Sequence, residues 1–231
     1  MYVYGKNVAE EIIKKGEKVK KAFIVNNFSD KYLISALEKR NISIKYLSKF
    51  EIDKLANGNH QGIILDIPDY EYCDESEFIN DENALVVILD HLEDPHNLGA
   101  IIRTCEAAGV TGIIIPKNRS VSVNSTVMKV SAGAIENVKI ASVTNLSNTI
   151  KYLKDNGFWI VGTDMNGTSY DEIDYSGKIA IVIGNEGSGM SKLVEENCDF
   201  IASIPMRGVI NSLNASVAAG IVIYEAIKSR K

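Results

Sequence analysis

Three stretches of the 231-residue chain set polar side chains and glycines at spacings that could bind or activate a ligand. The first, DPHNLGAIIRT (94–104), places a proline-fixed turn, then Asn97, then Arg103 six residues further on. Asn97 suits either a site or the N-cap of a helix. Arg103 is flanked by Ile101, Ile102 and Cys105 and is predicted to be partly buried, where a guanidinium needs a partner. The second, IVIGNEGSGM (181–190), spaces Gly184, Gly187 and Gly189 as G-x-x-G-x-G ahead of a helix. This is neither a dinucleotide fingerprint nor a P-loop. The glycines let backbone approach a ligand closely, and Glu186 disfavours phosphate there. The third, IPMRGVINSLNASVAAG (204–220), puts Ser212 and Asn214 at the start of the last helix, as caps or as ligands. Gly208 implies a tight loop within it. His60, His91 and His96 make no cluster with cysteines or carboxylates at metal-ligand spacing, so no metal is expected. No G-x-S-x-G elbow of a serine hydrolase is present.

All three stretches follow apolar runs that read as strands. ALVVILD (84–90), GIIIP (112–116), NVKIASV (137–143), FWIVGTD (158–164), KIAIVIG (178–184) and FIASIPM (200–206) alternate with helical stretches over 97–110, 122–133, 145–157, 189–198 and 212–230. ALVVILD has the continuous apolar character of a strand buried on both faces. Such alternation predicts a parallel sheet covered by helices, whose ligands sit outside the carboxyl ends of the strands. The first 70 residues predict a smaller α/β unit. Helices are expected over 7–15, over 29–41 with Ser29 as N-cap, and over 49–58; strands are expected over 21–25, 42–47 and 62–68. Residues 69–83 hold seven Asp and Glu and no Lys or Arg, the composition of a linker. The expected division is 1–69, a linker over 70–83, and 84–231.

Composition is that of a globular protein, with 45% hydrophobic and 24% charged residues. No apolar run nears the ~18 residues of a membrane span, and the first residues lack a signal-peptide layout. Three widely spaced cysteines suit a reducing cytoplasm rather than a disulfide framework. Net charge is −5, but residues 1–70 carry 12 Lys and Arg against 9 Asp and Glu. A local basic face, with Lys14, Lys15, Lys18, Lys20 and Lys21 as candidates, supplies phosphate contacts whatever the global sign.

Taken jointly, the three motifs resemble those of the SpoU (TrmH) family of RNA ribose 2′-O-methyltransferases, within the SPOUT superfamily. The resemblance covers residues 84–231. The start, YGKNVAEEII, and NHQGIIL (59–65) resemble the family's small RNA-binding domain. The nearest subgroup is the RlmB-like one, which methylates a guanosine of 23S rRNA. Cys105 stands where alanine is common, and Asn185 where serine or alanine is common.

The resemblance implies a small N-terminal α/β RNA-binding domain (1–69) and a parallel-sheet methyltransferase domain (84–231) tied in a trefoil knot. It implies S-adenosylmethionine as methyl donor and a homodimer. It assigns Gly184, Ile204 and Leu213 to the cofactor, with Thr163, Asn185, Glu186 and Met206 nearby. It assigns Arg103 to the ribose hydroxyl. A carboxylate such as Glu186 is then expected to orient Arg103 as a bidentate partner, and Asn97, Ser212 and Asn214 to hold Arg103 or the ribose-phosphate. A guanidinium stays protonated at neutral pH, so its physical role is charge stabilisation rather than proton abstraction. A tRNA ribose methylase of the same family, or a non-catalytic RNA-binding assembly factor, are the alternative functions.

Overall fold

The computed structural model describes residues 1–56 and 58–230. The chain divides into two units, Met1–Glu71 and Tyr72–Lys231.

In the first unit the elements run β1 (Tyr2–Tyr4), α1 (Lys6–Lys15), β2 (Lys21–Val25), α2 (Lys31–Lys39), β3 (Ile44–Leu47), α3 (Lys49–Asp53) and β4 (Ile63–Asp66). The sheet order is β1-β4-β2-β3, with β2 and β3 parallel and the β4 pairings antiparallel. The cap of α2 is Asp30, which accepts from Leu33 N–H, not the expected Ser29. Of the helix expected over 49–58, only α3 forms, behind a capping box of Ser48 and Glu51; Asn57 lies outside the described residues.

The second unit runs β5 (Leu85–Leu89), α4 (Pro95–Ala108), β6 (Gly112–Pro116), α5 (Ser125–Ser131), β7 (Ile140–Val143), α6 (Leu146–Asp155), β8 (Trp159–Ser169), β9 (Ile179–Ile183), α7 (Lys192–Glu195), β10 (Phe200–Ser203) and α8 (Ala215–Lys228). Its six strands lie in the order β10-β8-β9-β5-β6-β7, and every pairing is parallel. Every residue of β5, β6 and β9 is buried, as continuous apolar runs require of a sheet covered on both faces. From β5 the chain steps to β6 and β7, then returns to β8 and β9 on β5's other side. The loops after β5 and β9 therefore diverge at a topological switch point, where such sheets open a crevice. β8 runs five residues beyond the expected strand, while α7 keeps only four residues of the expected helix.

The acidic stretch is not a free linker. The second unit begins at Tyr72. Cys73 bridges to Ala141 on the edge strand β7, and Cys73 N–H donates to Ile140 O. Residues Glu75–Phe78 make a 3₁₀ turn that drives Phe78, fully buried, into the core. Gly112 makes room for it, since a Cβ there would sit 2.2 Å from the Phe78 ring. The apolar gain from one phenylalanine outweighs the solvation of its acidic neighbours, which face water.

Burial pushes the Cys105 thiol upward and that of Cys198 up to about 12, so both stay protonated as core filling. Among the described residues no helix is long and apolar enough to cross a membrane.

Candidate active site

The switch point is built from three loops. β5 is followed at once by Asp90, which is 1% exposed. Its carboxylate accepts from Ser191 N–H at 2.6 Å and bonds His91 Nδ1 at 2.6 Å. It thereby ties the end of the glycine turn to the loop before α4. Asn185 makes a second tie: its Nδ2 donates to His91 O at 2.8 Å. Its Oδ1 accepts from Gly187 and Ser188 N–H at 2.8 and 3.2 Å, closing the turn on itself. Gly184 lies so close to the far side of the turn that a Cβ would stand 2.5 Å from Gly189 C and 2.6 Å from Met190 N.

Asn97 is not a cap. Asp94 caps α4, accepting from His96 N–H, a bond that holds its carboxyl below the usual range. Asn97 sits in the first turn of the helix, 6% exposed, and its amide joins the other two loops. Asn97 Nδ2 donates to Glu186 Oε1 at 2.7 Å, and Asn97 Oδ1 accepts from Asn214 Nδ2 at 2.9 Å. A carboxylate can only accept, so this fixes which way the Asn97 amide faces. Asn214 is fixed in turn as the N-cap of α8, where its Oδ1 accepts from Ser216 and Val217 N–H. A polarised chain thus runs from the positive end of α8 through two amides to Glu186. Among the described residues, Glu186 Oε2 has no partner and stays available to a ligand.

Beside this chain lies a cavity of about 400 Å³. Gly184, Ile204, Leu213, Thr163, Asn185, Glu186 and Met206 all line it, and so does Ser212. Asp164, Met165 and Asn211 line it as well, and no motif singles them out. Leu213 and Met206 are large apolar side chains left exposed at its wall, surface that a ligand would cover. Apolar walls, backbone turned inward by glycine, and the carboxylates Asp164 and Glu186 suit a flat heterocycle carrying a cationic tail. S-adenosylmethionine has that chemistry, so the residues fit it.

Arg103 departs from expectation. It is exposed rather than partly buried, and it does not pair with Glu186, whose Oε1 is taken by Asn97. It borders a separate hollow with Ala100, Thr104, Ala107, Val130 and Tyr224. Asn97, Glu186, Ser212 and Asn214 are thus brought together within one chain, and Arg103 is not among them. The residue missed outright is Asp90; its one signal was a carboxylate closing an otherwise apolar parallel strand.

A glycine-walled cavity at the switch point of an all-parallel α/β sheet defines a protein that binds a nucleoside-like cofactor. Comparison with known proteins narrows the class. Residues 84–224 match the SpoU rRNA Methylase family, and residues 2–73 match the RNA 2′-O ribose methyltransferase substrate binding family. A protein of Staphylococcus saprophyticus described as a TrmH family tRNA/rRNA methyltransferase is 46% identical, over 99% of this chain and 95% of its own. The AdoMet-bound rRNA methyltransferase of Sinorhizobium meliloti superposes with a TM-score of 0.74 at 26% identity, covering 98% of this chain and 86% of that one. The TrmH/SpoU tRNA modifying enzyme of A. aeolicus is 34% identical with a TM-score of 0.59, covering 66% of this chain and 79% of its own. The chain belongs to the SpoU (TrmH) family of S-adenosylmethionine-dependent RNA methyltransferases.

Proposed function

We propose that the chain transfers the methyl group of S-adenosylmethionine to a ribose 2′-hydroxyl of ribosomal RNA, a guanosine of 23S rRNA being the expected target. The observation that carries this is the cavity at 163–218. All seven residues expected to hold the cofactor line it, beside the chain that ends on Glu186. The preference for rRNA over tRNA rests on coverage. The rRNA enzyme of S. meliloti accounts for 98% of this chain, the tRNA enzyme of A. aeolicus for 66%. A structured ribosomal target also gives a separate substrate-binding unit something to dock on.

When bound, the cofactor supplies an activated methyl group, so the protein's task is to position donor and hydroxyl in line. Gly184, Ile204 and Leu213 cradle the cofactor through close backbone. Glu186, oriented by Asn97 and Asn214, offers Oε2 to the ribose hydroxyl or to a guanidinium. Arg103 stabilises the negative charge that develops on the oxygen. Because Arg103 borders a hollow separate from the one that holds its own chain's Glu186, the reading is that a homodimer brings it to the partner's cavity.

Gly184→Ala should weaken S-adenosylmethionine binding about 10- to 100-fold, read by calorimetry. The new methyl meets backbone at 2.5 Å, and such overpacking costs about 1–3 kcal/mol. Unchanged affinity would move the cofactor elsewhere. The function itself is tested by mass-spectrometric mapping of ribose methylation in rRNA and tRNA from cells with and without the protein. A methyl group missing only from tRNA would replace the rRNA reading; none missing from either RNA would favour the assembly factor.

A further inference from the structure

The five lysines that the sequence offered for RNA lie where α1 ends and β2 begins. Lys14 and Lys15 are there engaged with Glu10 and Glu11 in i,i+4 pairs at 3.2 Å. The other end of the same unit, about 15 Å away along the ten residues of α1, has a different character. There the two segments that resemble the family's RNA-binding domain, YGKNVAEEII and NHQGIIL, meet. Gly5 N–H donates to Ile63 O at 3.3 Å, and Lys6 N–H donates to Gln61 Oε1 at 2.8 Å.

Between them opens a hollow of about 580 Å³, lined among others by Lys6, Asn27, Phe28, Lys49, Asn59 and His60. That volume lies within the ~300–1,000 Å³ of small-ligand sites. Its walls are fixed. His60 Nδ1 accepts from Gly62 N–H at 3.0 Å, which leaves the Nε2 proton to Asp53 Oδ1 at 2.7 Å. Asp53, the carboxylate in the lining, thus has its Oδ1 turned to His60. Gly62, at φ +84°, lets Phe28 come close to the turn, since a Cβ would stand 3.0 Å from its ring. Lys6 Nζ lies 5.0 Å from the Phe28 centroid and 3.9 Å from Asp30 Oδ2, a long contact that a stronger anion can displace. Lys49 is exposed and, among the described residues, unpaired. The Asn27 and Asn59 amides are exposed, with no partner among the described residues.

Two cations, an aromatic face and two open amides in a pocket of this size match one nucleotide of unpaired RNA. Phosphate takes the ammonium groups, the base takes the ring, and its edge takes the amides. Duplex RNA is read across an extended groove and would not enter. We propose that this hollow, not the lysine-rich opposite end, is where the N-terminal unit binds RNA, taking one unpaired nucleotide. The proposal rests on the RNA-methyltransferase reading above.

The test uses the full chain in three forms: unaltered, Lys6→Ala with Lys49→Ala, and Lys18→Ala with Lys20→Ala. The probe is a fluorescein-labelled unstructured RNA 20-mer, titrated at several salt concentrations; methyl transfer is followed on rRNA from cells lacking the protein. The Lys6/Lys49 variant should bind the probe at least about tenfold more weakly, with the log–log salt slope smaller by about 1.4 for two lost phosphate contacts. Its KM for rRNA should rise at unchanged kcat, with unchanged S-adenosylmethionine affinity. The Lys18/Lys20 variant should stay within about twofold of the unaltered chain. A 5-iodouridine-substituted probe should crosslink to Phe28 or His60. Unaltered affinity in the Lys6/Lys49 variant, or a larger loss in the Lys18/Lys20 variant, overturns the proposal, as do crosslinks confined to residues beyond 71. RNA binding that depends on Lys6 and Lys49 in a chain that methylates no RNA would remove the reaction and leave this site standing.

Discussion

Arg103→Ala is expected to lower methyl transfer about 100- to 1,000-fold while leaving S-adenosylmethionine affinity and the unfolding temperature unchanged. The three readouts should separate because of where the residue stands. Its guanidinium is exposed and unpartnered among the described residues, so its removal takes nothing from the fold. It lines none of the cavity proposed for the cofactor, so the donor should bind as before. What the proposed role would lose is a positive charge beside an oxygen that becomes negative only as the reaction proceeds, worth roughly 3–4 kcal/mol. Arg103→Lys keeps the charge and loses the planar fork, so it should recover only part of the rate. Full activity in Arg103→Ala would remove this residue from the mechanism. Co-expression of Arg103→Ala with Glu186→Gln tests the origin of the arginine. If it serves the partner's cavity, mixed dimers regain one site with both groups intact, and activity returns that neither variant has alone. No recovery would place Arg103 and Glu186 in the same chain's site.

The placement of Arg103 also marks where linear reading stopped. Ile101, Ile102 and Cys105 suggested burial because they flank it, yet helix geometry says otherwise. At 100° per residue those three share one face of α4 with Leu98, and position 103 falls on the opposite side. The strands were legible because parallel, doubly buried strands must be apolar throughout, as in LVVIL and IAIVI. The seven residues expected to hold the cofactor follow from the resemblance to a family, and all seven line one cavity. The bonds that orient them were not legible. Asn97 meets Glu186 across 89 residues and Asn214 across 117, and no local pattern encodes such a meeting. Asp90 is illegible for the same reason, since its partner at Ser191 lies 101 residues away. The acidic stretch misled through composition: seven carboxylates concealed a phenylalanine whose burial decides the local structure.

That phenylalanine gives the largest expected effect on stability. Phe78→Ala should destabilise the second unit by about 3–5 kcal/mol, the usual cost of emptying a fully buried aromatic site. The ring packs in the core with Val86, Ile88, Ile114 and Ala141, residues of β5, β6 and β7. Gly112 has no side chain with which to refill the space, so the void cannot collapse from that side. Urea or thermal unfolding of the unit should shift accordingly, by roughly 6–20 °C for a unit of this size. Glu82→Ala nearby is the contrast. Its carboxylate is exposed, 3.9 Å from Lys178, and its loss should cost no more than about 0.5 kcal/mol. Equal, small effects from both substitutions would restore the tether reading of 70–83. The consequence reaches the active site, because β5 carries the Asp90 loop on its carboxyl end. A chain begun at residue 84 would lack Phe78 and the Cys73 bridge to β7. It should therefore unfold at lower temperature than one begun at 72, and bind S-adenosylmethionine only to the extent that it stays folded.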